Sequence, residues 1–126
     1  AMFEDFSIGW VELATRDVEA AQRFYGELLG WTFQDSANAP PGTRYSEYAA
    51  GDTHYGGLLQ MTPAWGDVPE HWSLYVVVPD LDIALSATDA AGGRLSVPAF
   101  NAPGVGRIAR IDDPTGAGCY LIELAR

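Results

Sequence analysis

The stretch Ile8–Trp31, IGWVELATRDVEAAQRFYGELLGW, carries a strand, a capped helix and a glycine stop in one unbroken run. Ile8 to Thr15 alternates, with Val11 and Leu13 apolar on one face and Trp10, Glu12 and Ala14 on the other. A period of two marks a strand whose faces meet different surroundings. Asp17 then offers a side-chain oxygen to the free amides of a first helical turn. Ala21, Phe24, Tyr25, Leu28 and Leu29 follow at helical spacing, and Gly30 supplies the left-handed residue that ends the helix. Gly26 inside that helix costs about 1 kcal/mol against alanine, so tertiary packing must hold it.

The pattern returns once. Trp72 to Val78 (WSLYVVV) reads as a second strand, Asp80 as a second N-cap, Leu81, Ala84, Leu85 and Thr88 as a second helical stripe, and Gly92-Gly93 as its stop. The two caps lie 63 residues apart, half the chain, which is the mark of an internal duplication. Each half has room for three more strands: Thr32 to Asp35, Arg44 to Ala49 and His54 to Met61, then Arg94 to Pro98, Gly106 to Asp112 and Gly118 to Ala125. Pro40-Pro41-Gly42, Gly51-Asp52, Ala102-Pro103-Gly104 and Asp113-Pro114-Thr115-Gly116 separate them. Met61 to Glu70, rich in Pro and Gly, links the halves.

These pieces predict an α+β fold of two βαβββ modules, about 6–62 and 71–126, within a single domain spanning 1–126. Two such sheets can curl into a cup of mixed sheet with one helix per module on the outer face. The helix-facing sides are apolar (Val11, Leu13; Leu74, Val76, Val78), so function is expected on the opposite sides, which carry Trp10, Glu12, His71, Ser73 and Tyr75.

Composition narrows the classes. Apolar residues make up 48% and charged residues 19%, which excludes disorder. No apolar run reaches membrane-helix length, no signal segment opens the chain, and Ala1 before Met2 reads as a cloning remnant, so a cytoplasmic protein is expected. With a net charge of −10 and only seven basic residues, nucleic acid is not an expected partner. The single Cys119 permits neither an internal disulfide nor a cysteine-built zinc site, and reads as a small buried hydrophobe.

The strand followed by Asp17-Val18, FYGELLGW (Phe24 to Trp31), Val78 to Gly93 and DPTG (Asp113 to Gly116), in this order, resembles the vicinal oxygen chelate superfamily. That group holds glyoxalase I, extradiol dioxygenases, fosfomycin-resistance enzymes and bleomycin-binding proteins. The resemblance implies paired βαβββ modules, a homodimer, and a divalent metal held by four side chains from the first and last strands of each module. Counted from the shared landmarks Asp17, Gly92-Gly93 and Pro114, three of those positions fall on Trp10, Ser73 and Tyr120, and matching the strand end LLQMT puts the remaining one on Gln60. An indole nitrogen has no free lone pair, and neutral hydroxyls are poor ligands, so the expectation is a site without metal. The alternative set is Glu12, His71 and Glu123, with a bulge in the last strand turning Glu123 inward to hold Ni, Zn, Fe or Mn.

Trp31 and Trp72 read as core residues. Trp10, Tyr75 and Trp65 read as aromatics lining the cup or overhanging its mouth. Glu12, a carboxylate on an inward strand face, needs a partner: a ligand group, or Arg107 or Arg110. His71 is placed at the pocket rim, and His54 in solvent. The expected function is metal-free binding of a small, apolar, aromatic molecule such as an antibiotic, by sequestration. The expected binding residues are Trp10, Glu12, Gln60, Trp65, His71, Ser73, Tyr75 and Tyr120. The alternative is a metal-dependent glyoxalase- or dioxygenase-like enzyme, and a third possibility is a cofactor-free enzyme with Glu12 or His71 as general base.

Overall fold

Both expected caps form. The Asp17 carboxylate accepts from Ala20 N at 3.0 Å and the Asp80 carboxylate from Ile83 N at 3.0 Å. Gly30 takes the left-handed conformation that closes the first helix, with φ 73°. This is a computed structural model that describes residues 4–37, 39 and 42–125; Ala1, Met2, Pro40 and Pro41 lie outside the described residues. The elements are β1 (Ile8–Thr15), α1 (Val18–Leu29), β2 (Thr32–Asp35), β3 (Tyr45–Ala50), β4 (Thr53–Gln60), β5 (His71–Val77), α2 (Leu81–Ala90), β6 (Arg94–Ala102), β7 (Gly106–Asp112) and β8 (Gly118–Leu124). A 3-10 turn, Pro63–Trp65, interrupts the link. No helix among the described residues is long and apolar enough to cross a membrane.

The chain divides into two compact units, residues 10–72 and residues 4–9 with 73–125. The opening segment counts with the second unit because Phe6 N donates to Val77 O at 2.6 Å and Val77 N to Ser7 O at 2.9 Å. Each unit contains a βαβββ module, an α+β arrangement, as the duplicated pattern predicts.

In the first unit the strand order is β2-β3-β4-β1. β1 runs parallel to β4, and the β2–β3 and β3–β4 pairs are antiparallel. Leu13, Val18, Tyr48 and Leu58 form its core beneath α1, with Ala21, Tyr25, Trp31 and Phe33 packed around them. Trp31 stacks between Tyr25 and Tyr48, with centroids at 5.2 and 4.3 Å. Trp72 meets that stack edge-on, yet it is 40% exposed, so it borders the core instead of filling it.

In the second unit the order is β5-β8-β7-β6. Val78, Leu81, Ala109 and Leu121 pack beneath α2 with Val76, Ala84, Leu85, Ile111 and Cys119. Cys119 packs against this core as a small hydrophobe but is only partly buried; that burial holds its thiol above the ordinary range, offset in part by Arg110. Leu74 departs from expectation: it is 41% exposed. β6 runs four residues past the expected Pro98, and its pairing with β7 shifts between Leu95 and Val97 and again between Val97 and Phe100. A strand at the end of its module's order tolerates a proline and such irregularity, because its outer N–H groups need no ladder partner.

Candidate functional site

Each module leaves one sheet face without a helix, and strand register decides what stands there. In the first unit Glu12 pairs with Gly57 across β1–β4, and Gly57 with Glu47 across β3–β4, so these residues share a face with Trp10 and Tyr45. Trp10 Nε1 donates to Tyr45 Oη at 2.7 Å. Tyr45 is bonded in turn to the Glu12 carboxylate, a buried group only 5% exposed. The three side chains thus form a relay from indole N–H through phenol to carboxylate. Burial first, and then the Glu12 charge, hold the Tyr45 phenol far above its ordinary value; the Trp10 N–H pulls the other way. A neutral hydroxyl that donates to a carboxylate is the stable form of this pair.

Gly57 makes room for the relay, since a Cβ there would stand 2.3 Å from the Tyr45 ring and hydroxyl. Its neighbour Gly56 serves the other face, where Tyr48 Oη donates to Val11 O at 2.9 Å. Neither Tyr45 nor Gly57 was expected at the site. A glycine pair inside a strand is the sequence signal for so close an approach.

In the second unit Tyr75 pairs with Tyr120 across β5–β8, and Tyr120 with Arg110 across β7–β8. The phenol rings stack at 4.6 Å, and the Arg110 guanidinium lies 4.7 Å from the Tyr120 centroid. Arg110 Nη1 also donates to Ser73 Oγ at 3.3 Å. Guanidinium, phenol and phenol therefore stand side by side on the sheet. Tyr75 and Arg110 thus flank the Tyr120 ring from the two strands on either side of β8. Arg107, offered with Arg110 as a partner for Glu12, instead bonds Asp82 at 3.1 Å.

Gln60 and Glu123 are used elsewhere. Val18 N donates to Gln60 Oε1 at 3.1 Å, and Leu81 N donates to Glu123 Oε1 at 2.8 Å. Gln60 Nε2 also bonds the Arg16 carbonyl. Asp17 to Asp80, Val18 to Leu81 and Gln60 to Glu123 are each separated by 63 residues. The two last-strand residues are thus counterparts that fasten their own helix starts, and this corrects two expectations. Gln60 is the partner by duplication of Glu123, while the counterpart of Tyr120 is Gly57. Glu123 lies on the α2 face of β8, where no inward-turning bulge forms: β7 and β8 pair continuously from Gly106–Leu124 to Asp112–Gly118.

The remaining expected residues sit apart from these clusters. His71 Nδ1 donates to Pro69 O at 2.7 Å, with Trp65 tilted 6.2 Å away in the link. His54 is partly exposed and contacts Glu47 at 3.1 Å. The family's metal positions now read Trp10 and Gly57 in one module, Ser73 and Tyr120 in the other. None is an imidazole or a carboxylate, so the donors at these positions do not suit a divalent first-row ion. No group of three or more His, Cys, Asp or Glu among the described residues is placed to hold one, the set Glu12, His71 and Glu123 included.

Among known proteins, the putative glyoxylase CFP32 of Mycobacterium tuberculosis is 33% identical over 118 residues, which are 93% of this chain and 45% of that protein. The anthracycline biosynthesis protein DnrV of Streptomyces peucetius is 33% identical over 118 residues, 94% of this chain and 42% of that protein. The chain thus spans less than half the length of these relatives. Among solved structures, methylmalonyl-CoA epimerase from M. tuberculosis superposes with a TM-score of 0.69 at 20% identity, covering 100% of this chain and 94% of that one. At that identity the likeness is one of fold. Residues 7–121 match the sequence profile of the Glyoxalase/Bleomycin resistance protein/Dioxygenase superfamily, and the chain belongs to that superfamily.

Proposed function

We propose that the chain binds a small, largely apolar aromatic molecule carrying oxygen substituents, and that it does so without a divalent metal. The observation behind this is the inventory of the helix-free faces: phenol, indole, hydroxyl, guanidinium and one buried carboxylate, with indole, glycine or hydroxyl groups where relatives would need metal ligands. Such groups orient an oxygenated ring system by hydrogen bonds and supply no Lewis acid. The likeness to a protein named for anthracycline biosynthesis supports the same ligand class. Holding the molecule is then the function, as in sequestration of an antibiotic, and the working form is a homodimer.

A thermal-shift titration with hydroxylated anthraquinones, run with EDTA and separately with Ni, Zn, Fe or Mn, tests this. The expected result is a saturable rise in Tm in EDTA, about 2.7 kcal/mol of added stability at a hundredfold excess over Kd. Mass spectrometry should return the ligand unchanged. Ligand binding that appears only after stoichiometric loading of one metal overturns the proposal. Light scattering at twice the 13.6 kDa chain mass checks the dimer.

The Trp10–Tyr45–Glu12 relay favours one second reading, a cofactor-free enzyme in which Glu12 takes a proton from the bound molecule. Turnover of a ligand, lost in Glu12→Gln while binding persists, would establish it.

A further inference from the structure

Arg110 is a half-buried arginine held by a phenol ring and a hydroxyl. The chain carries 17 acidic residues against seven basic ones. Of the six described arginines, Arg16, Arg44, Arg94 and Arg107 each hold a carboxylate, at 2.8, 3.4, 2.7 and 3.1 Å. Arg23 is exposed on α1. Arg110 differs from both groups: it is half-buried, stacked on the Tyr120 ring and bonded to the Ser73 hydroxyl.

Its surroundings are shaped to keep it in place. The guanidinium lies against the Tyr120 ring and donates one N–H to Ser73 Oγ. It also rests on Gly118, where a Cβ would come within 2.6 Å of Nη2. An aromatic face holds a guanidinium without neutralising it, and the planar fork keeps further N–H groups for a bidentate acceptor. Lysine would offer neither the stacking plane nor the fork.

We infer that Arg110 anchors an anionic oxygen group, such as a carboxylate or a sulfonate, on the planar aromatic ligand. This rests on the proposed aromatic-binding function and adds a charge to its ligand class.

The test compares anthraquinone-2-carboxylate with anthraquinone-2-carboxamide by calorimetry. The wild-type chain should bind the carboxylate at least about tenfold more tightly, the worth of one charge-assisted hydrogen bond. That preference should collapse towards one in Arg110→Met and be kept in part in Arg110→Lys. It should survive in Arg23→Met, which removes the same charge from an exposed helical position. Raising the salt should narrow the preference only where a cation stands at position 110. Circular dichroism of each variant establishes that it is folded. Equal affinity for the two probes in the wild type overturns the inference and leaves the aromatic-binding function standing; so does a preference that persists in a folded Arg110→Met. Failure of both probes to bind overturns both.

Discussion

Gly57→Ala should break the relay through a single methyl group. The new Cβ would stand 2.3 Å from Tyr45 Cε1, Cζ and Oη, so the ring must retreat by at least about 1 Å to recover a normal separation. Such a shift opens the 2.7 Å bond from Trp10 and draws the phenol off the buried Glu12 carboxylate. Overpacking costs about 1–3 kcal/mol and a lost hydrogen bond to a charged group about 1.5–3 kcal/mol. Since one movement causes both, about 2–4 kcal/mol is expected in urea unfolding followed by circular dichroism. The backbone itself is no obstacle, because Gly57 is not among the positive-φ glycines. In a Tyr45→Ala background the clash has no partner, and the same substitution should be neutral or stabilise by up to about 1 kcal/mol through reduced chain entropy. The double-mutant cycle should therefore show a coupling of about 2–5 kcal/mol. Gly56→Ala is the contrast: its Cβ would lie 1.6 Å from the Val11 carbonyl oxygen, which is backbone, so its cost should persist in either background. If Gly57→Ala is equally damaging with and without the Tyr45 ring, the relay is not what the glycine protects.

Two further outcomes follow from the geometry. Burial raises the Tyr48 phenol from 10.0 to about 12, so the unfolded chain releases this proton before the folded one does. Its contribution to stability is whole below pH 10 and is lost as pH rises from 10 to 12; urea midpoints across that range should fall, less steeply in Tyr48→Phe, and an unchanged slope would refute the assignment. Gln60→Ala and Glu123→Ala should each cost about 1 kcal/mol, as for other lost helix-start acceptors, with Glu123→Gln milder than Glu123→Ala; equal losses for the last two would mean the Leu81 amide does not depend on that oxygen.

Much of the architecture was legible because each local signal agreed with its neighbours. Asp17, Asp80 and Gly30 do what their chemistry dictates, and the 63-residue offset organises both modules. The site was less legible because its members meet only through strand register. Tyr45 joins Trp10 and Glu12 only because β3 lies beyond β4 in the sheet, and Arg110 reaches Tyr120 only through the β7–β8 pairing. Gln60 was misplaced for a similar reason. Aligning strand ends by their apolar letters ignores the register, whereas the shared bonds of Gln60 and Glu123 to their helix starts give it directly. Stacked rings were also beyond reach: alternation puts Tyr75 on the uncovered face but cannot say that its ring leans on another phenol.

The opening segment has a consequence for how the chain can be cut. Phe6 and Ser7 clasp β5 yet precede the first module's opening strand in sequence, while each helix start is fastened within its own half. A nick in the Pro63–Glu70 link would give two pieces that each keep their helix lock, but the strap that finishes the second would remain on the first. Those pieces are built to complement one another in trans, and the second alone would expose an unpaired Val77 backbone.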